Sequence, residues 1–350
     1  YCVDCHMPSK TYMVVDPRRD HSLRVPRPDL TQKIGTPNAC SDCHADKPVE
    51  WAVEKVIEWY GPETSSKGHF GETIHAGRTG REGAADQLIA LAGDPSQPGI
   101  VRATAVSMLI GETSEAAGAV LRKAVKDVDP LVRMAAATAS ESLPPEMRLP
   151  LIEPLLPDSV RSVRIEAGRV LAPVPTNLLS GDEADMLNFA ITEYEQAQWV
   201  NADRPESHVN RALIYTAQRR FQDAETAYRN ALCLEPRFAE ASVNLADLLR
   251  MMNRENDSAG ILESALAKDP KHPALNHAYG LLLVRRKQLD KALPYLAKAA
   301  EDPALTRFNY VYAVALSEVG RKDEAIRVAQ RALEERPGDS GLINLLESLR

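Results

Sequence analysis

Prolines recur at a fixed interval through the C-terminal half of the chain. Pro236, Pro270, Pro303 and Pro337 follow one another at spacings of 34, 33 and 34. Small residues keep the same register: Ala212, Ala246, Gly280 and Ala313 in one helical pattern, and Ala224, Ser258, Ala292 and Ala325 opening the next. Tyr215, Leu249, Leu283 and Leu316 fill a large slot in each first pattern. Proline stops helices, because it lacks an amide donor and clashes with the preceding turn. Small residues let neighbouring helices approach. A chain punctuated in this way stacks helix–turn–helix units, each burying its apolar face on the next.

That interval is the tetratricopeptide period, although the Trp usual near the start of each unit is missing. "SGLINLLESLR" reads as the first helix of a further unit or a cap. Such arrays are curved, and their groove binds a peptide or protein. His208, Asn244, Asn276 and Asn309 recur near the inner-helix positions and read as polar groove residues rather than a ligand-binding set. Cys233, among Ala and Leu in "RNALCLEP", reads as a buried structural thiol.

Upstream, "VRATAVSMLI", "VRMAAATASESL" and "VRIEAGRVLA" begin at Val101, Val132 and Val163, an even spacing. Each follows an Asp (Asp94, Asp129, Asp158). They read as HEAT-like hairpins of short period, with Val packed inward and Arg bridging to the Asp of its own or the next repeat. "LLPDSVRSV" and "LAPVPTNLLSGDEA" are Pro-rich breaks, placing a boundary near 173 to 182.

The segment before these hairpins, 1–78, differs in kind. "YCVDCHMPSK" and "ACSDCHADK" each hold Cys-x-x-Cys-His: Cys2, Cys5, His6 and Cys40, Cys43, His44. Two thiols reach the two vinyl groups of one porphyrin, and the adjacent imidazole lies under the iron, which makes this the c-type haem attachment motif. A zinc site needs four ligands and no histidine fixed after each pair. A thioredoxin-like dithiol wants a βαβ setting that the sequence lacks. Two covalent haem c groups are therefore expected. Five of the eight histidines lie before residue 76. With His6 and His44 proximal, His21 and His75 are the candidate distal ligands and His69 the alternative. Met7 and Met13 compete; Met7 follows His6 too closely to reach the opposite face of the same haem. Three candidates for two irons leave one spare. It is either bland or a ligand to a haem on another copy or on a preceding segment.

The net charge is −7 and the isoelectric point about 5.7. There is no basic stripe, so nucleic acid is not an expected partner. No apolar run reaches the roughly 20 residues of a membrane helix. The aromatic content of 5% favours helices packed on small residues over a β-sandwich. With no initiator Met and no signal peptide, the chain reads as a mature or trimmed product.

Taken in order, "CVDCHMPSKTYMVVDPRRDHSLRVPRPDL", "GTPNACSDCHADK", "HFGETIHAGRTG" and the repeats resemble bacterial multihaem c-type cytochromes with C-terminal tetratricopeptide repeats. The "DHSLRVPRPD" stretch is similar to a hallmark of that family, which supports His21. The resemblance implies electron transfer, a periplasmic or extracellular location, and further haem motifs upstream in other members. The expected fold is all-α. A small loop-rich dihaem module (1–78) precedes HEAT-like repeats (79–175) and a tetratricopeptide array with a leading helix (176–350). The expected function is electron transfer through bis-His haems, with no catalytic residue. The partners are redox proteins or other copies of the chain, joined head to tail into a haem wire through a shared histidine. A haem enzyme with one open iron site, and a repeat scaffold docking a redox partner, stay open as alternatives.

Overall fold

The computed structural model describes residues 1–21, 23, 25–66 and 68–349. The chain divides into two compact units, Tyr1–Leu121 and Arg122–Arg350.

In the first unit, a helical turn α1 (Cys2–His6) precedes strands β1 (Ser9–Tyr12) and β2 (Asp16–Arg19). Helices α2 (Pro28–Ile34), α3 (Cys40–Cys43), α4 (Val49–Tyr60), α5 (Glu63–Ser66), α6 (Phe70–Arg78), α7 (Ala84–Ala92) and α8 (Gly99–Ser107) follow, and α9 (Glu115–Ala124) crosses the division. The strands pair antiparallel, Ser9 with Arg19 and Tyr12 with Asp16. This hairpin corrects the all-helical expectation locally. Its tip, Met13 and Val14, lies at φ 49° and 72° without a glycine. No turn signal of the Asn-Gly kind marks the hairpin in the sequence.

The second unit opens with α10 (Pro130–Ala139), α11 (Pro145–Ile152), α12 (Arg161–Leu171) and α13 (Gly181–Trp199). Val101 of α8, Val132 of α10 and Val163 of α12 are all buried. Arg133 reaches into the following repeat, donating to both carboxylate oxygens of Asp158 at 2.7 and 3.0 Å. Arg164 makes the equivalent bond to Glu193 of α13 at 2.7 and 2.6 Å. Burial raises the Asp158 carboxyl, but bonds from Arg133 and the Val160 amide outweigh it and hold the group below the usual carboxylate range. Gly168 of α12 lies so close to α13 that a Cβ would sit 2.9 Å from that of Ala190.

Four hairpins then stack: α14 (Pro205–Ala217) with α15 (Phe221–Leu234), α16 (Ala239–Met251) with α17 (Glu255–Lys268), α18 (Pro273–Arg285) with α19 (Leu289–Ala299), and α20 (Thr306–Glu318) with α21 (Lys322–Glu335); α22 (Ser340–Leu349) follows them. The periodic prolines fall in the connections between hairpins. The small-residue positions are buried, and Tyr215, Leu249, Leu283 and Leu316 are 0–5% exposed.

Each turn inside a hairpin ends its first helix in the same way. The carbonyls of Tyr215, Leu249, Leu283 and Leu316 accept from the amides of Arg220, Arg254, Gln288 and Arg321 at 2.8–2.9 Å. The residue before each donor is left-handed: Arg219, Asn253, Lys287 and Gly320, at φ 61°, 58°, 59° and 80°. This is the Schellman closure, which satisfies carbonyls the helix leaves open.

Two polar readings are corrected here. His208, Asn276 and Asn309 are buried structural donors rather than groove residues. His208 Nε2 donates to Ala202 O at 2.9 Å, since a carbonyl only accepts. Asn276 Nδ2 donates to Pro270 O and His272 O, each at 3.0 Å. Asn309 Nδ2 donates to Asp302 O and Leu305 O at 2.8 and 3.1 Å. Each ties down the connection before its own helix. The matching residue in α16 is Ser242, bonded to Phe238 O; Asn244 lies two positions off that register and is half-buried. Cys233 is exposed, not buried. On α15 the inward stripe is Ala224, Ala227, Tyr228 and Ala231, and position 233 falls off the helical period of that stripe.

Candidate haem-attachment module

Each Cys-x-x-Cys-His motif folds as one helical turn, and different contacts hold each turn. Arg19 of β2 closes the first: its guanidinium donates to Val3 O and Met7 O at 3.2 Å and to the Asp4 carboxylate at 2.8 Å. Asn38 starts the second. Its Oδ1 accepts from the amides of Cys40 and Ser41 at 3.0 and 3.2 Å, while its Nδ2 donates to Thr31 of α2 at 2.9 Å. An Asn placed to accept from the first amides of a turn is the usual helix-start device. Helix α2 is fixed in turn by Arg27, which grips the buried Asp29 through two bonds of 2.7 and 2.8 Å. Those bonds hold the Asp29 carboxyl below its ordinary range. Lys33 of α2 reaches Glu72 of α6 at 3.4 Å.

All four motif cysteines carry free thiols; Cys2, Cys5 and Cys43 are exposed and Cys40 is half-buried. Burial pushes the Cys40 thiol up, with the charge of Cys5 adding to it, so the two motifs are electrostatic neighbours. His6 is half-buried at the end of α1. His44 is exposed at the end of α3, with its ring against Trp51 at 4.6 Å between centroids. His21 sits exposed in a turn. His75 lies half-buried within α6.

His69 precedes α6 and caps it. Its Nδ1 accepts from the Gly71 amide at 3.0 Å, and its ring lies on Phe70 at 4.1 Å. A neutral ring with Nδ1 accepting carries its proton on Nε2. In this arrangement neither nitrogen offers iron a free lone pair.

Between these elements lies a cavity of about 1040 Å³, lined by Cys5, Leu30, Ile34, Tyr60, His69 and Phe70 among others. It exceeds the usual span of small-molecule sites, about 300–1,000 Å³. Burial from residue 1 to 50 is confined, among the described residues, to Pro28, Asp29 and Leu30. Tyr12, Met13, Val14, Val15, Leu23 and Val25 are all exposed. Cys5 is the motif residue that lines this cavity, and the apolar lining with so little core around it leaves room for a large apolar group there. Among the described residues no three His, Cys, Asp or Glu side chains converge as a metal site. A zinc centre needs such convergence, whereas thioether attachment asks only one imidazole of each motif. Arg19, Asn38 and the Arg27–Asp29 pair were not legible as anchors, because each acts across a turn or on another element. Asn38, two positions before Cys40, carried the one local signal.

Residues 215–282 and 283–349 each match the family model of the tetratricopeptide repeat, and this part of the chain consists of such repeats. Among solved structures, the chain is similar to TTC0263, a thermophilic tetratricopeptide protein of Thermus thermophilus, at 20% identity over 53% of this chain and 98% of that one, TM-score 0.39. It is similar to YrrB, a tetratricopeptide protein with an unusual peptide-binding site, at 22% identity over 44% and 80%, TM-score 0.35. It is also similar to MamA, at 21% identity over 42% and 87%, TM-score 0.35. No curated protein matches the sequence.

Proposed function

We propose that this chain is a dihaem c-type electron carrier whose tetratricopeptide array docks the protein with which it exchanges electrons. The observation that carries this reading is the pairing of two Cys-x-x-Cys-His turns, their thiols free, beside one large cavity in a segment with almost no core of its own. Each cysteine Sγ would add across a vinyl double bond, forming a C–S bond while the thiol proton passes to the other vinyl carbon, with no net redox change. His6 and His44 would hold the irons from the motif side, and His21 and His75 from the other, with His69 the alternative once its ring turns away from Gly71. Bound haem supplies a reversible one-electron couple; bis-His ligation holds it at a lower potential than His/Met. Attachment of this kind belongs to the bacterial periplasm or the outside of the cell, where the partner would be another redox protein or a further copy of the chain.

The test is expression with a cytochrome c maturation system. The expected product keeps two haems through acid–acetone extraction and denaturing electrophoresis. Replacing Cys40 and Cys43 by Ala should remove one of them. Haem lost on extraction overturns the reading. Low-temperature electron paramagnetic resonance should show low-spin iron only, and His21→Ala or His75→Ala should turn one centre high-spin. The second reading is a docking scaffold without haem, which the repeats over 215–349 support by themselves. A photo-cross-linker at Leu281, between the first helices, separates the docking role. It should join one defined protein that the same group placed at Lys268 does not.

A further inference from the structure

Both motif turns carry the same acidic residue in the same place. Asp4 precedes Cys5 and Asp42 precedes Cys43, so each carboxylate lies two residues before the histidine of its motif. What meets the two carboxylates differs. Arg19 of β2 donates to Asp4 at 2.8 Å, and the same guanidinium holds Val3 O and Met7 O. Asp42 is exposed, and among the described residues no cation pairs with it. The lysine or arginine nearest to it in sequence, Lys47, is taken by Asp46 at 3.1 Å. The shared position is therefore charge-balanced in the first turn and carries an unanswered negative charge in the second.

The two turns lie within one compact unit. They are electrostatic neighbours, since the Cys40 thiol, pushed up first by burial, is raised further by the charge of Cys5. With imidazoles on both sides of each iron, axial ligation does not separate the two centres, and burial and local charge remain. Oxidised iron carries one more positive charge than reduced iron. A carboxylate nearby favours the oxidised form, and a guanidinium paired with that carboxylate cancels the preference. Burial points the same way. His6 is half-buried and His44 exposed, and water favours the more highly charged state.

We infer that these side chains make the two haem sites unequal: the unpaired Asp42 holds the Cys40–Cys43 site at the lower potential, and Arg19, by neutralising Asp4, holds the Cys2–Cys5 site at the higher. Both residues act through space and touch no reacting atom. In a molecule holding one electron, that electron rests at the first motif, with the iron there reduced and the second oxidised. No proton or further reactant takes part in the exchange. The inference rests on the dihaem reading proposed above and adds the direction in which it runs.

The experiment is an optical redox titration of the matured full chain, which should resolve two one-electron couples. Asp42→Asn should raise the lower couple alone, and Arg19→Gln should lower the upper couple alone, each by about threefold or more in the oxidised-to-reduced ratio at a fixed potential. Asp42→Glu and Arg19→Lys keep the charges and should keep the original couples. Lys lacks the guanidinium fork, so a merely structural role for Arg19 would move Arg19→Lys as far as Arg19→Gln. Raising the salt to about 1 M, where the screening length falls to about 3 Å, should narrow the gap. Should Arg19→Gln fail to fold, the Asp42 variants, on an exposed side chain, and the salt series carry the test. Coincident couples overturn the inference, as does a rise of the upper couple in Asp42→Asn or an Arg19→Lys titration that matches Arg19→Gln. Haem lost on extraction overturns the dihaem reading and the asymmetry together, whereas two retained haems of equal potential overturn the asymmetry alone.

Discussion

Within residues 205–349 every helix buries a stripe of apolar side chains, and each closing turn repeats the last. Within residues 1–50 the described chain buries only Pro28, Asp29 and Leu30. The array is stabilised by nearest-neighbour packing, so each hairpin needs only the hairpins beside it. The N-terminal segment is held by point contacts: Arg19 on the first motif, Asn38 on the second, and Arg27 on Asp29. Hydrogen bonds between exposed groups add little net stability. Segments this short seldom stand on their core alone and usually borrow from a disulfide, a metal or a bound group. The two regions therefore differ in what holds them: one in a repeated apolar core, the other in isolated polar contacts.

The largest effect expected from this contrast comes from replacing Cys2, Cys5, Cys40 and Cys43 together by Ala. Hydrogen exchange over residues 1–50 should rise to that of an unfolded chain, while protection over 205–349 stays unchanged. Protection that survives in both regions would break the contrast.

Acid should act the other way round, on the array. The folded His277 sits at about 4, against about 6.5 when unfolded. A lowered folded value means that the unfolded chain binds the proton more readily. Stability is therefore full above about pH 6.5 and falls as the pH drops toward 4, by at most about 3 kcal/mol. Thermal unfolding of His277→Phe should lack that slope.

Gly280 sharpens the packing argument. A Cβ there would lie 2.6 Å from Leu296 Cδ2 and 2.8 Å from its Cγ. Gly280→Ala should cost about 1–3 kcal/mol through overpacking, despite the better helix propensity of Ala. Asn309→Ala frees two connection carbonyls and should cost about 1–2 kcal/mol in denaturant unfolding. The smallest change is a gain. Lys287 holds the left-handed turn position that Gly320 holds in the next hairpin, so Lys287→Gly should stabilise by about 0.5 kcal/mol.

The sequence by itself determined the repeats, and the physical reason is redundancy. Each role is written four times, so Ala212, Ala246, Gly280 and Ala313 identify one another. Local chemistry also sufficed for the Cys-x-x-Cys-His turns, because both thiols and the imidazole lie within a single turn of chain. Tertiary structure decided whatever depends on direction or distance. Cys233 looked buried among Ala and Leu, yet its place on the helical period turned it outward. His208, Asn276 and Asn309 looked like groove residues, yet their side chains point back to the carbonyls that precede them. His277 gave no signal at all. Its surroundings come from Arg307 and Phe308 in the hairpin after it, which become its neighbours only when the hairpins stack.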